Sequence, residues 1–346
     1  MVFGFSTVTL APLPAGEGFL VLAMIEVAAG VLTDARGRVL LMQRLPGTHL
    51  AETWEFPGGK LEPGEDLEEG LRRELREELD IDAHGFEPLI SLPWRYPEKD
   101  IRLHALRVGG WSGEPRAREG HPLRWVSIEG IDPAEMPAAD RPIVSALQLP
   151  PYYVISAGEA KCIAAPHPPG AARLSPSSPC GEGLGEMGLR ALLQLRSPGA
   201  GRDSMRAAAM ALLERTPERK RRVLINGDIE LAREVGVGVH LRSVQLRELT
   251  ARPLPESQWV GASCHDADEL ERAAMIGADF ATLSSVCATA SHPDAVPLGW
   301  GRFAEVVHEA RLPVYALGGV GPDDLERARA AGAQGVAGIS AFGSTG

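Results

Sequence analysis

Three glutamates, Glu74, Glu77 and Glu78, stand at i, i+3 and i+4. In a helix that spacing puts three carboxylates on one face. Glu74 and Glu78 are then like charges one turn apart, a pairing that costs roughly 0.2–0.5 kcal/mol. A hard divalent cation turns this repulsion into a ligand set, because Mg²⁺ takes carboxylate oxygens together with water and phosphate. The same residues also fit a solvated helix laced by Glu68–Arg72 and Glu69–Arg73 pairs. The three glutamates alone leave both readings open.

Their surroundings are more specific. Gly59-Lys-Leu-Glu-Pro-Gly-Glu65 leads on to Arg73-Glu74-Leu75-Arg76-Glu77-Glu78-Leu79-Asp80-Ile81. This resembles the Nudix box, G-x5-E-x7-R-E-U-x-E-E-x-G-U with U aliphatic. Every fixed position is met except the last glycine, which here is Asp80. That position follows the helix, where a left-handed cap is common and Asp is tolerated. Glu55-Phe56-Pro57-Gly58-Gly59, Trp111-Ser-Gly-Glu-Pro115, Arg118-Glu119-Gly120 and Pro137-Ala-Ala-Asp140-Arg-Pro142 also resemble Nudix hydrolases of the MutT, 8-oxo-dGTP diphosphatase, type. The likeness covers Ile25 to about Leu147.

The resemblance implies water attack on a nucleoside triphosphate, with Mg²⁺ or Mn²⁺ as cofactor and release of nucleoside monophosphate and pyrophosphate. It assigns the divalent ion to the Gly58 carbonyl and the carboxylates of Glu74, Glu77 and Glu78. Glu119 would lend a further carboxylate to the metal or the water, and Arg73 would orient the glutamates. Arg44 would reach the nucleotide, with Phe56 and Tyr96 near the base. Read as residues only, Phe56 and Tyr96 fit core filling equally well, and Arg44 fits an ordinary surface arginine. Asp140 stands where MutT carries Asn. An ionised Asp accepts hydrogen bonds and donates none, so it could take N7–H of 8-oxoguanine but could not donate to O6 unless protonated. 8-oxo-dGTP is the leading substrate; another nucleoside or thiamine-type diphosphate stays open.

The elements that must position these groups follow from patterning. Ile25–Leu32 and Val39–Met42 read as strands around a turn, Gly58–Lys60 as a loop, and Asp66–Leu79 as a helix with Leu67, Leu71, Leu75 and Leu79 on one face. Strand-like runs follow at Leu89–Trp94, Ile101–Val108 and Leu123–Val126. The expected fold is α+β, a mixed sheet with helices. After a linker at Leu149-Pro150-Pro151 the texture becomes alternating βα units. Candidate strands are Tyr152–Ala157, Ala191–Arg196, Val223–Asn226, Gly238–Leu241, Val260–Ser263, Phe280–Val286, Val314–Leu317 and Gly335–Ile339, with helices such as Ser204–Arg215 and Asp323–Ala331. Eight such units predict a (β/α)8 TIM-type barrel. The expected domains are residues 24–148 and 149–346, after an extension over 1–23. A Pro/Gly/Ser-rich insertion near 164–187 stands where the first barrel helix should be.

Gln194, Arg196, Asn226, His265, Gly318, Gly319 and Ser340 fall at or near predicted strand C-termini, where barrel sites are built. Tight βα turns needing glycine explain the glycine pairs as well as an anion cradle does. Taken in order, these residues resemble the thiamine phosphate synthase family and its TenI-like relatives. An acid expected after Asn226 is Gly227, a second is replaced within Arg242-Ser-Val-Gln245, and a lysine expected after Arg196 gives way to Ser197-Pro198. The resemblance therefore implies a phosphorylated thiazole-type ligand and disfavours synthase turnover. His265 would be the proton shuttle of a tautomerase, or merely a hydrogen-bonded strand-end histidine. A ligand-binding module without chemistry is the remaining alternative.

The 346 residues carry a formal charge of −11 with 44% apolar and 23% charged residues. So acidic a chain lacks the basic footprint of a nucleic-acid polymer binder. The text has no long apolar run and no basic leader region, so the expectation is a cytoplasmic protein without a membrane span. Cys162, Cys180, Cys264 and Cys287 lack CxxC spacing and read as free thiols.

Overall fold

The computed structural model describes residues 24–47, 50–156, 191–289 and 296–339. The extension over 1–23, the 164–187 segment, Cys162, Cys180 and Ser340 lie outside the described residues.

The first half holds two sheets. One has the order β4-β1-β6-β5, built from β1 (Ile25–Leu32), β4 (Gly58–Lys60), β5 (Asp82–Tyr96) and β6 (Lys99–Ser112). It is mixed: β1 runs parallel to β6, while β4 pairs antiparallel with β1 and β5 with β6. The other has the order β3-β2-β7, from β2 (Arg38–Gln43), β3 (Trp54–Glu55) and β7 (Leu123–Ser127). One sequence expectation needs correction, one pair of strands is longer than expected, and one helix is new. Gly58–Lys60 is a strand and not a loop, with Ala29 opposite Gly58 and Ala28 opposite Gly59. The runs at 89–94 and 101–108 are the middles of one long hairpin that turns between Tyr96 and Lys99. A helix, α2 (Arg141–Gln148), begins directly after Asp140 with a proline in its first turn.

The helix that carries the glutamates is α1 (Leu67–Leu79). Asp66 caps it, accepting from the N–H groups of Glu68 and Glu69, and Glu69 reaches back to complete a capping box. Asp80 ends it in the left-handed conformation, φ 58° and ψ 37°, as expected of the residue replacing the glycine. Leu71, Leu75 and Leu79 are fully buried against Ala28, Leu32, Leu40 and Ile81. This apolar contact fixes the rotation of α1, so the face carrying Glu74 and Glu78 turns toward β4.

The second half is a closed barrel of eight parallel strands: β8 (Tyr152–Ile155), β9 (Leu192–Leu195), β10 (Val223–Asn226), β11 (Gly238–Leu241), β12 (Val260–Cys264), β13 (Phe280–Leu283), β14 (Val314–Leu317) and β15 (Gly335–Gly338). Helices α3 (Arg202–Arg215), α4 (Ile229–Val235), α5 (Ser243–Leu246), α6 (Ala267–Met275), α7 (Gly299–His308) and α8 (Leu325–Ala330) follow β9 to β14 in turn. The barrel interior is filled: Tyr153, Phe280 and Tyr315 are fully buried with ring centroids 5.3–5.7 Å apart, Phe280 meeting both tyrosines edge to face. Cys264 and Cys287 are free thiols, as expected. No helix among the described residues is long and apolar enough to cross a membrane.

The halves touch. Arg102 donates to the His308 carbonyl and to Glu309 Oε1, each at 2.8 Å. Gln334 Nε2 donates to the carbonyls of Ala146 and Leu149, and Arg311 lies over the Trp94 ring at 5.4 Å.

Candidate active site

Arg73 organises the glutamate cluster. Its guanidinium holds Glu65 bidentately at 2.7 and 2.8 Å, Glu74 at 2.9 Å, the Lys60 carbonyl at 3.0 Å and Glu77 at 3.3 Å. The Glu65 carboxyl is drawn down to about 2 by these bonds and by the Glu62 N–H. The pairs Glu68–Arg72 and Glu69–Arg73 of the solvated-helix reading do not form. Arg72 instead bonds the Ala83 carbonyl and stacks over Phe86.

Glu74 lies beneath Gly59, so close that a Cβ at Gly59 would overlap its carboxylate. Gly58 has φ +143°, and a Cβ there would collide with the Ala28 carbonyl. Two glycines are therefore required where β4 passes between β1 and α1. The Gly58 N–H donates to Glu78 Oε2 at 2.9 Å. Burial pushes the Glu78 carboxyl up to about 8, and the neighbouring charges of Glu74, Glu55 and Glu119 add to this. Glu77 is largely exposed. Glu119 is also exposed, 3.6 Å from His121 Nε2, on a segment tied to the end of α1 by the Arg116 and Arg118 N–H groups. Among the described residues no three acidic, histidine or cysteine side chains form a closed metal centre. Arg73 draws Glu74 and Glu77 to itself, and Gly58 holds Glu78.

A cleft of about 310 Å³ opens beside this cluster. Its lining includes Gly58, Gly59 and Glu78 as well as Arg44, Phe56, Tyr96 and Asp140, so the expected base-end residues share one cavity with part of the acidic cluster. Arg44 pairs with Glu55 at 2.6 Å. Phe56 is 3% exposed and serves as core and as cleft wall together. Tyr96 is raised to about 12, first by burial and then by the Asp140 charge. Asp140 is 8% exposed, and its carboxyl is held well above the usual carboxylate range by burial, then by Glu55, against the pull of Arg44 and the Phe56 backbone.

Glu55, Lys60, Lys99 and His121, to which no sequence motif assigns a role, also line the cleft. Lys99 had a usable signal: it faces Tyr96 across the hairpin turn. Glu55 had none, since its burial and its pairing with Arg44 are tertiary.

The sequence profile of the NUDIX domain matches residues 24–147. An 8-oxo-dGTP diphosphatase of Escherichia coli is 33% identical over 124 residues, 36% of this chain and 96% of that protein. The CTP pyrophosphohydrolase of the same organism is 39% identical over 123 residues, 36% of this chain and 90% of that one. The chain belongs to the Nudix hydrolases. It is accordingly a hydrolase acting on phosphoanhydride bonds. The second half of this Nudix protein matches the thiamine monophosphate synthase profile over residues 185–342. A thiamine-phosphate synthase-like protein of Aquifex aeolicus is 39% identical over 129 residues, 37% of this chain and 69% of that one.

In the barrel of this Nudix protein, Gln194 and Asn226 are joined side chain to side chain at 3.2 Å. Arg196 follows β9 at the C-terminal rim and is exposed. His265 is exposed and held by Glu269 Oε2 at 2.9 Å. Gly318 and Gly319 have φ +95° and +67° and pack against Ser285 and Cys287, so close contact with the neighbouring loop accounts for both. His240, unassigned in the sequence reading, sits inside the barrel between Tyr153 Oη and Ser263 Oγ, each at 2.9 Å. Burial and then the Arg196 charge push it down to about 3, so it stays neutral.

Proposed function

We propose that the first half hydrolyses nucleoside triphosphates to monophosphate and pyrophosphate, with 8-oxo-dGTP as the leading substrate. One observation carries this reading. The cleft joins Glu78, at the acidic end, to an arginine, two aromatic rings and a buried carboxyl that can frame a base. The donor set fits a divalent cation: the charges of Glu74, Glu55 and Glu119 bear on the buried Glu78 carboxyl, and all four offer hard oxygens. Glu74, Glu77 and Glu78, with the Gly58 carbonyl, would hold Mg²⁺ or Mn²⁺. When bound, such an ion supplies charge neutralisation for the phosphates and a more acidic water.

The chain's own residues do the rest. Arg73 is a positioning residue that sets the rotamers of Glu65, Glu74 and Glu77. Glu119, exposed and with its charge bearing on Glu78, accepts a proton from the attacking water. Arg44, Lys60 and Lys99 bring positive charge to an acidic cleft for the polyphosphate. Phe56 and Tyr96 flank the base. Asp140, its carboxyl raised by burial, both donates and accepts while it holds its proton. It therefore takes N7–H and gives to O6 of 8-oxoguanine much as an Asn side chain does.

A second reading has its own support. Cytosine presents an N4 amino donor and an N3 acceptor, which the same protonated acid also satisfies. The 39% identity to a CTP pyrophosphohydrolase points the same way. Measuring kcat/KM for 8-oxo-dGTP, dGTP and CTP by released pyrophosphate decides between them. The first reading expects 8-oxo-dGTP to lead, and a lead for CTP replaces it with the second.

For the barrel we propose binding of a phosphorylated ligand without joining of a pyrimidine diphosphate to a thiazole phosphate. That reaction expels pyrophosphate, and the acids that would fix a cation for it are Gly227 and the Arg242–Gln245 run here. Asp228, the nearest acid, is committed to capping α4, where it accepts from Leu231 N–H at 2.9 Å. His265, tied to Glu269, keeps the means to move a proton on a bound ligand.

A further inference from the structure

At the C-terminal rim of the barrel, β9, β10 and β11 end side by side. Gly227, just after β10, has φ +73°, and a Cβ built on it would lie 2.8 Å from Arg242 Nε. The Arg242 guanidinium thus occupies the space that a side chain at position 227 would take. Gln245 fixes this arrangement from both ends. Its Nε2 donates to the Gly227 carbonyl at 2.9 Å, and its Oε1 accepts the Arg242 N–H at 3.0 Å. Asp228 is directed elsewhere, capping α4 and facing Arg202 at 3.4 Å. A positive charge therefore stands where a cation-binding acid would have to be.

A second guanidinium is close by in the wall. Arg196 follows β9, bonds Ser156 only through its backbone, and bears on the buried His240. Among the described residues neither Arg196 nor Arg242 has a carboxylate partner. The chain carries 46 acidic against 35 basic residues, and Arg73, Arg206, Arg252 and Arg311 are each held by carboxylates. Two uncompensated guanidiniums on one rim leave a local excess of positive charge. Between them lie the linked amides of Gln194 and Asn226. Guanidinium presents planar, paired N–H donors that match phosphate oxygens.

We propose that the barrel rim over β9–β11 binds a phosphate or diphosphate group through Arg196 and Arg242 with no divalent cation, Arg242 supplying the charge that a metal would otherwise bring. This deepens the barrel reading above and rests on it. The test is calorimetric titration of the full chain with inorganic pyrophosphate in excess chelator. The expected result is binding tighter than about 1 mM, weakened by added salt. Arg242→Ala should weaken it roughly tenfold or more, as loss of charge-assisted hydrogen bonds implies, with an unchanged melting profile. Arg242→Lys should retain part of the affinity. Should Arg242→Ala fail to fold, Arg242→Gln keeps the stem's packing and makes the same comparison. No binding in chelator, or equal affinity in the wild type and the variant, overturns the inference. The barrel reading fails separately: mixing the protein with a pyrimidine diphosphate, a thiazole phosphate and Mg²⁺ would then yield thiamine phosphate.

Discussion

Asp140 sits 8% exposed at the base end of the cleft, where burial and the charge of Glu55 hold its carboxyl well above the usual range. A carboxyl donates only while protonated, so its raised pKa carries the donor to higher pH than a free Asp would. As pH rises through the folded-state value the donor disappears. The predicted outcome is a kcat/KM for 8-oxo-dGTP that falls with rising pH in the wild type, because O6 loses its donor, roughly tenfold or more across the transition. Asp140→Asn keeps a donor and an acceptor at all pH and should flatten that limb. A limb of equal height in both proteins would place the titrating group elsewhere. The same proton affects stability. Above about pH 4 the unfolded chain has released it while the folded chain retains it, so this residue's contribution falls as pH rises through the folded value. Asp140→Asn melting curves should lack that slope.

At the scale of elements, α1 is the piece on which the site depends, and it was the most legible. Leucines every fourth residue mark its buried face in the sequence, and the structure adds the Asp66–Glu69 capping box that fixes its start. Asp66→Ala should cost about 1 kcal/mol in thermal unfolding, and Asp66→Asn, which keeps an acceptor for the Glu68 and Glu69 N–H groups, should recover most of it. Equal losses in the two variants would show that the charge matters more than the cap. Other elements were harder to read for physical reasons. Pro88 looks like a break before the strand-like run at 89–94, yet β5 is an edge strand with one row of N–H groups unneeded, so Pro88 fits within it as Pro93 does. Gly58 and Gly59 look like a loop because the glycine requirement comes from Ala28 and Glu74, distant in sequence. Pro142 in the first turn of α2 is a local helix-start signal, weak by itself in so short a helix. The same division holds for the site. Glu74, Glu78 and Arg73 share one helix and were readable together. Glu55 and His121 reach the cleft from other elements, and no local pattern joins them to it.

Across the whole molecule, the barrel braces the hydrolase cleft through β6. Ile101 and Leu103 line the cleft, while Arg102, pointing to the opposite face, is 8% exposed and bonded to His308 and Glu309 on the barrel. Arg102→Ala leaves the His308 carbonyl without this donor and should destabilise the contact by about 1–3 kcal/mol. Calorimetry should then show the two halves unfolding further apart in temperature than in the wild type; coincident, unshifted transitions would mean that the contact does not couple them. The central claim is that the acidic end of the cleft, with a divalent cation, cleaves a nucleoside triphosphate. Pyrophosphate release from 8-oxo-dGTP, dGTP and CTP, with Mg²⁺ and with excess chelator, in wild type and Glu78→Gln, tests it most directly. The account predicts Mg²⁺-dependent release that chelator abolishes and that Glu78→Gln lowers by roughly a hundredfold or more. Release that persists in chelator, or a Glu78→Gln protein as fast as wild type, would contradict it.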